Sequence, residues 1–288
     1  MQPESLISDA LTRLLTYGFT PVFGAEIECY VQLKDVSVSQ VNPFFSPIIA
    51  HAREENIPLL RIEQERGPMQ FELVLGVFHD AMECVRAIDI LKYSVAEQGR
   101  ALGVEISFAG KPYDDAPGSG LHLHLNLLYQ GENAFHKTDE YISDALHHAL
   151  GGLCALTPHV MPILCPVDEG FIRYRDKDHV ASTASWGSNN RSCAVRIPYT
   201  PAWEDKRIEW RTPAADAVPL MVMALMLHAV ACGIDERIEP PAQSYGIATK
   251  ELHANALPLT MEDAMHKLEL LPEAFLPLTP ALLRSWLA

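Results

Sequence analysis

Four short stretches carry the most chemistry, because polar side chains recur in them at every second position. GAEIE (24–28) spaces Glu26 and Glu28 two apart, LHLHLN (121–126) does so with His122, His124 and Asn126, and RIEWR (207–211) with Arg207, Glu209 and Arg211. The fourth, QFE (70–72), pairs Gln70 with Glu72 and follows Glu65 across a Gly67-Pro68 turn. A strand points successive side chains to opposite faces, so each stretch presents its polar groups together and its apolar ones behind. Neighbouring carboxylates repel unless positive charge sits between them. Carboxylates with imidazole suit a hard or borderline divalent cation, Mg²⁺ or Mn²⁺ ahead of zinc where oxygen dominates. The arginines suit phosphate or carboxylate. Arg191 and Arg196 stand in NRSCAVRIP (190–198), and PGSG (117–120) offers backbone that can pass close to a ligand. One stripe alone reads as an amphipathic strand with its polar side in water. Together they point to the metal and anion site of an enzyme.

Positioning such stripes takes strands, and the pattern predicts them over 22–33, 68–76, 105–109, 121–129, 192–198 and 207–212. Helical periodicity falls over 4–17, 43–55, 79–102, 137–156, 216–232 and 261–271. The class is α+β. Strict βαβ alternation is absent and neither GxGxxG nor GxxxxGK[ST] occurs, so a doubly wound nucleotide fold has little support. No repeat or low-complexity linker divides the chain, and one domain over 1–288 is the economical expectation.

The 288 residues carry 37 Asp and Glu against 22 Lys and Arg, a formal charge of −15. Without a general basic field, nonspecific nucleic-acid binding is excluded. Six scattered cysteines form no CxxC pair, as expected of reduced thiols in a cytoplasmic protein. No basic residue precedes Arg13, which argues against a signal peptide. The uncharged run 217–234 contains Pro219 and His228 and lacks flanking Lys or Arg, so it reads as a buried core helix rather than a membrane span.

In order along the chain, GAEIE (24–28), ERGPMQFE (65–72), KPYDDAPGSGLHLHLN (111–126), ASTASWGSNNRSCAVRIP (181–198) and RIEWR (207–211) resemble the motifs of the glutamine synthetase family, including relatives that join glutamate to polyamines or other amines. The resemblance implies an antiparallel curved sheet lining a funnel, with helices packed outside, in the glutamine synthetase/guanido kinase-like fold. It implies ATP at one mouth, an amino acid at the other, and two or three Mg²⁺ or Mn²⁺ ions between. By the same resemblance Glu28, Glu65 and Glu72 hold one metal, and Glu26, His122 and Glu209 hold the metal bridging the ATP phosphates. His124, Asn126 and Arg207 match nucleotide-contacting positions, with Asn126 where Ser is usual. Arg191 and Arg196 match phosphate-binding arginines, and Arg173 and Arg211, with the Gly118 backbone, match the groups that grip glutamate.

The implied reaction is ATP-dependent amide ligation through an acyl phosphate, with an amino acid, an amine and ATP as small-molecule partners. Departures from the family pattern shift the expected nucleophile. The family's flap glutamate falls on His179, Pro117 replaces the Asn before Gly-Ser-Gly, and Glu204 replaces a basic nucleotide contact. A His near pKa ~6.5 accepts a proton from an amine but does not attract ammonium as an anion does. An organic amine is therefore expected in preference to ammonia. The likeness starts at about residue 4, so the chain is expected to lack the family's N-terminal β-rich domain. A homo-oligomer or a separate chain would then supply that missing wall. The competing expectations are a catalytically inactive relative that binds nucleotide or metal as a regulatory or partner protein, and a glutamate–cysteine ligase-like enzyme.

Overall fold

The computed structural model describes residues 1–32, 41–136, 142–175, 180–251 and 255–287, with the side chains of Val41 and Asn42 left aside. Its strands are β1 (Phe19–Gln32), β2 (Leu59–Gln64), β3 (Gln70–Leu75), β4 (Glu105–Ser107), β5 (Leu121–Tyr129), β6 (Glu132–Asn133), β7 (Thr183–Ala184), β8 (Trp186–Ser188), β9 (Val195–Ile197), β10 (Ile208–Trp210) and β11 (Asn255–Ala256). The helices are α1 (Pro3–Thr16), α2 (Val41–Glu54), α3 (Ala81–Leu102), α4 (Asp144–Leu156), α5 (Met161–Leu164), α6 (Pro219–Asp235), α7 (Met261–Glu269) and α8 (Pro280–Leu287).

Nine strands form one sheet in the order β2-β3-β1-β5-β10-β9-β8, with β4 added to β1 and β6 to β5. The expected antiparallel sheet holds except at one edge, where β8 and β9 pair parallel. There the chain leaves β8, turns through residues 189–194 and re-enters in the same direction, a short crossover that the motif alone does not reveal. Register then does the positioning. Glu26 lies opposite His122, Glu28 opposite Glu72, and Glu209 opposite both His124 and Arg196. Directly opposed residues share a face, so five strands bring their polar stripes to one side.

The other side is dry. Ile27, Cys29, Leu73, Leu121, Leu123, Leu125, Leu127, Ile208 and Trp210 are all buried there. Helices α1 and α3 pack on β1, and α6 is enclosed by α1, α3 and α4. Uncharged throughout its interior and buried on nearly every side, α6 is a core helix of 17 residues. Among the described residues no helix is long and apolar enough to cross a membrane.

Several boundaries differ from the sequence pattern. Strand β2 was not expected, because 59–64 alternates weakly and sits at the sheet edge with its side chains half-buried or exposed. Helix α3 begins two residues later than the periodicity suggests, because the Asp80 carboxylate accepts from the amides of Met82 and Glu83 and caps it. Helix α4 begins at Asp144 behind the Ser143 cap, and residues 137–141 lie outside the described residues. Pro219 stands in the first turn of α6, where its missing N–H costs nothing, so that helix starts there rather than at 216.

Glycines let α4 and α6 cross closely. A Cβ on Gly152 would meet the Ala229 carbonyl oxygen at 2.0 Å, and one on Gly233 would meet the His148 carbonyl oxygen at 2.2 Å. Gly152→Ala should therefore lower stability by roughly 1–3 kcal/mol through overpacking, although alanine is the better helix former. Urea denaturation measures it, and an unchanged or raised midpoint would contradict the close crossing.

Candidate active site

The polar face floors a cavity lined by Glu26, Glu28, Glu65, Glu72, His122 and His124 together with Arg173, Arg191, Arg196, Arg207 and Arg211, and by Gly118. Residues separated by up to 185 positions in sequence thus meet. Of the sequence-derived set, Asn126 lies next door, in a more apolar cleft with Val22, Leu60, Val74, Leu125 and Leu128. The two spaces share Glu26, Arg61, His124, Tyr199 and Arg207. His179 lies outside the described residues.

Ligand atoms of Glu28, Glu65 and Glu72 lie within 4.8 Å of one another, as do those of Glu26, Glu72 and His122, and those of Glu26, His124 and Glu209. His122 Nδ1 is 3.4 Å from Glu26 and 3.6 Å from Glu209, and its Nε2 is 3.8 Å from Glu28. One imidazole therefore stands between three carboxylates. His124 joins this cluster with Nε2 3.2 Å from Glu26, off the line of a hydrogen bond. Its Nδ1 accepts from Arg207 Nε at 3.1 Å, so the neutral ring carries its proton on Nε2, toward Glu26.

The electrostatics divide the carboxylates into two groups. Burial opposes charge on Glu26, yet the imidazoles of His124 and His122 hold it well below the usual carboxylate range. Glu209 is fully buried, but Arg211, His124 and His122 keep it ionised, down to about 2. Arg196 donates to one Glu209 oxygen at 2.7 Å and Arg211 to the other. Glu72 behaves oppositely. Burial, then Glu26, Glu28, Glu65 and Glu63, push it up to about 10. Glu65 is raised as well, by burial and by Glu28. The oxygen-rich trio Glu28, Glu65 and Glu72 thus has more negative charge than its surroundings balance, and its donors fit a hard divalent cation. A second such ion fits among Glu26, His122 and the carboxylates beside them, where one nitrogen joins the oxygens.

The arginines leave atoms for an anion. Arg173 is buried and donates to the Thr212 carbonyl at 2.7 Å, while its Nε has no hydrogen-bond partner among the described residues. Among the described residues Arg196 Nε is equally without one. Gln70 locks the floor to the Gly118 segment, since its Nε2 donates to the Gly118 carbonyl at 3.0 Å while its Oε1 accepts from Gly67 N at 3.0 Å. The Gly120 amide donates to Glu28 at 2.8 Å. Glycine is required at that turn, because a Cβ on Gly118 would lie 2.5 Å from the Gly110 carbonyl oxygen and 2.7 Å from Arg173 Cβ.

Sequence reasoning missed Arg61, Glu63, Arg66 and Tyr199, which also line the cavity. A signal existed for two of them, since Arg61, Glu63 and Glu65 continue the every-second-position spacing back along β2, with Glu63 opposite Glu72.

Comparison with known proteins identifies the family. The family described as glutamine synthetase, catalytic domain, matches residues 31–287. Gamma-glutamylputrescine synthetase PuuA of Escherichia coli (strain K12) is 27% identical over 266 residues, covering 83% of this chain and 56% of that protein. Glutamine synthetase of Pyrococcus abyssi (strain GE5 / Orsay) is 28% identical over 291 residues, covering 93% of this chain and 65% of that protein. The chain thus spans less than two thirds of the length of these curated relatives. Among solved structures, a GmaS/ADP complex superposes with a TM-score of 0.83 at 21% identity, over 99% of this chain and 72% of that one, a likeness of fold. With the matched family spanning residues 31–287 of 288, the chain belongs to the glutamine synthetase catalytic-domain family.

Proposed function

We propose that this chain carries the active site of an ATP-dependent carboxylate–amine ligase, one that activates the side-chain carboxylate of glutamate or a glutamate-like acid and joins it to an organic amine. The observation that supports the reading best is the meeting of Glu26, Glu28, Glu65, Glu72, His122 and Glu209 with Arg173, Arg191, Arg196 and Arg211 around one cavity. A relative that no longer handled phosphoryl groups would have no use for carboxylates that repel one another so strongly.

In this reading the base and ribose of ATP occupy the apolar cleft beside Asn126 and Leu125, and the triphosphate reaches past His124 and Arg207, which belong to both spaces. Mg²⁺ or Mn²⁺, held by Glu28, Glu65 and Glu72 and by Glu26, His122 and Glu209, would screen the triphosphate and polarise its terminal phosphoryl group. Arg173 and Arg211, with the Gly118 backbone, hold the acid so that one carboxylate oxygen lies in line with the terminal phosphorus. Attack forms the acyl phosphate as the bond to the bridging oxygen of ADP breaks. Arg191 and Arg196 stabilise charge on the transferring group. The amine nitrogen then attacks the acyl carbon, phosphate leaves, and the amine's proton passes to a base, for which His179 is the candidate. The proposed partners are these small molecules, with self-association of the chain as a further expectation.

The experiment is ADP release by the purified protein with Mg²⁺ or Mn²⁺, scanning acids against ammonia, monoamines and polyamines. Release should require both acid and organic amine, and Glu209→Gln should lower it roughly a hundredfold or more with circular dichroism unchanged. Nucleotide binding without release for any pair would favour the inactive relative instead. His179→Glu should raise the ratio of ammonia to organic-amine turnover, and an unchanged ratio would remove His179 from the amine step.

The carboxylates also make stability depend on pH in a stated direction. With Glu72 at about 10 folded and 4.5 ordinarily, the ion-free folded state binds more protons than the unfolded state between those values, so stability falls as pH rises through them. Glu209, lowered from 4.5 to about 2, contributes stability that is lost only below that window. In chelator the melting temperature should therefore fall from mildly acidic to mildly alkaline pH. Saturating Mn²⁺ should flatten the profile, and so should Glu72→Gln in chelator. A flat chelator profile in the unmodified protein would contradict the crowding of charge.

A further inference from the structure

Among the described residues outside the cavity, one other group of side chains has the makings of a metal site. His147 and His148 on α4 and Glu239, just beyond α6, bring one ligand atom each within 4.8 Å of one another. We propose that this trio is a second, separate divalent-metal site, built for a borderline ion of the Zn²⁺ class rather than for the hard ions suited to the cavity.

The donor set makes the distinction. Two imidazoles and one carboxylate match the His₂Glu ligation that zinc takes, leaving a further position for water, whereas Mg²⁺ prefers oxygen alone. The imidazole ring centres are 5.3 Å apart, about the separation that tetrahedral bonds of ~2.1 Å impose on two imidazoles sharing one ion. The planes stand at 80°, so the rings do not stack face to face.

The surroundings are those of a held ligand. His148 is buried, and its Nδ1 lies 3.3 Å from the Ile238 carbonyl oxygen. Donation there puts the proton on Nδ1 and leaves the Nε2 lone pair free, the arrangement that fixes tautomer and ring direction in metal-ligating histidines. His147 Nε2 lies 2.7 Å from a Glu239 oxygen, and Glu239 is 75% exposed, so its carboxylate can turn to admit an ion between them. The two supporting segments meet with no side chain between them, because a Cβ on Gly151 would lie 1.9 Å from the Ile238 carbonyl oxygen. Glu239 and the helix bearing both histidines are therefore held at backbone contact, which keeps the donors pre-positioned.

Occupancy would act at a distance from the metal. The segment after Glu239 supplies the Pro241 carbonyl that accepts from Trp186 Nε1 at 2.7 Å, and the Ser244 carbonyl that accepts from Asn190 Nδ2 at 3.2 Å. Asn190 immediately precedes Arg191 of the cavity. An ion tying Glu239 to α4 braces the start of the strap that holds this turn.

The test is Zn²⁺ binding by equilibrium dialysis of the full chain in excess Mg²⁺, comparing the unmodified protein with His147→Ala, Glu239→Gln and the cavity variant His122→Ala. One Zn²⁺ should survive the Mg²⁺ competition, with His147→Ala and Glu239→Gln each weakening it ~10-fold or more and His122→Ala leaving it in place. Co²⁺ in place of zinc should give the intense visible bands of a four-coordinate ion, and those bands should be lost in His147→Ala. No Zn²⁺ retained against Mg²⁺, or unchanged affinity in either His147→Ala or Glu239→Gln, would overturn the proposal. The ADP-release assay does not enter this test, so either proposal can fail alone.

Discussion

Mutual repulsion of carboxylates inside a half-closed cavity is the constraint to which the rest of this molecule answers. Glu26, Glu28, Glu65, Glu72 and Glu209 lie close enough that they cannot all be charged without nearby cations. The protein supplies some from its own chain. Arg196 and Arg211 take one oxygen each of Glu209, and His122 stands among Glu26, Glu28 and Glu209. Among the described residues it supplies none comparable at Glu72, which keeps a proton up to about 10. The imbalance is local and directional: the β10 end of the floor is neutralised by arginine, and the β3 end is left for an ion from solution.

That division follows from strand order. Strand β10 lies between β5 and β9, so Glu209 has an imidazole on one side and a guanidinium on the other. Strand β3 lies between β1 and β2, so Glu72 has Glu28 on one side and Glu63 on the other. The same residue type at equivalent depth thus acquires opposite ionisation through its neighbours in the sheet. A one-residue slip of β3 against β1 would turn Glu72 toward the helices and bring Phe71 into the cavity. The buried apolar side of the sheet forbids this, so the hydrophobic core is what fixes the electrostatics of the site.

Much of this was legible before any coordinates. Period-two spacing in GAEIE and LHLHLN identifies both the strand and its polar face, and the register found in β1 and β5 is the one that uses it. What the spacing could not supply is which stripes become neighbours, since pairing is decided by contacts between distant segments. The edge strand β2 escaped because edge residues are constrained on one side only, which weakens alternation and hides Arg61 and Glu63. The parallel β8–β9 pair escaped because three-residue strands carry too little pattern to assign direction. Tyr199 had no signal at all, being 77% exposed in an irregular segment after β9.

Gln70 illustrates a further limit of spacing arguments, because its alternation with Glu72 suggests another ligand while its contacts make it a brace. Its amide reaches Gly118, Gly67 in the turn before β3, and Glu28 at 3.4 Å on the floor. A carboxylate at that position would add charge to a floor already oversupplied with it and could not donate to the Gly118 carbonyl. A shorter amide would not span the gap. Glutamine alone offers a donor and an acceptor at that reach without charge. The floor of the cavity and the Gly118 segment, some fifty residues apart, are thereby held in one geometry whether or not an ion is bound.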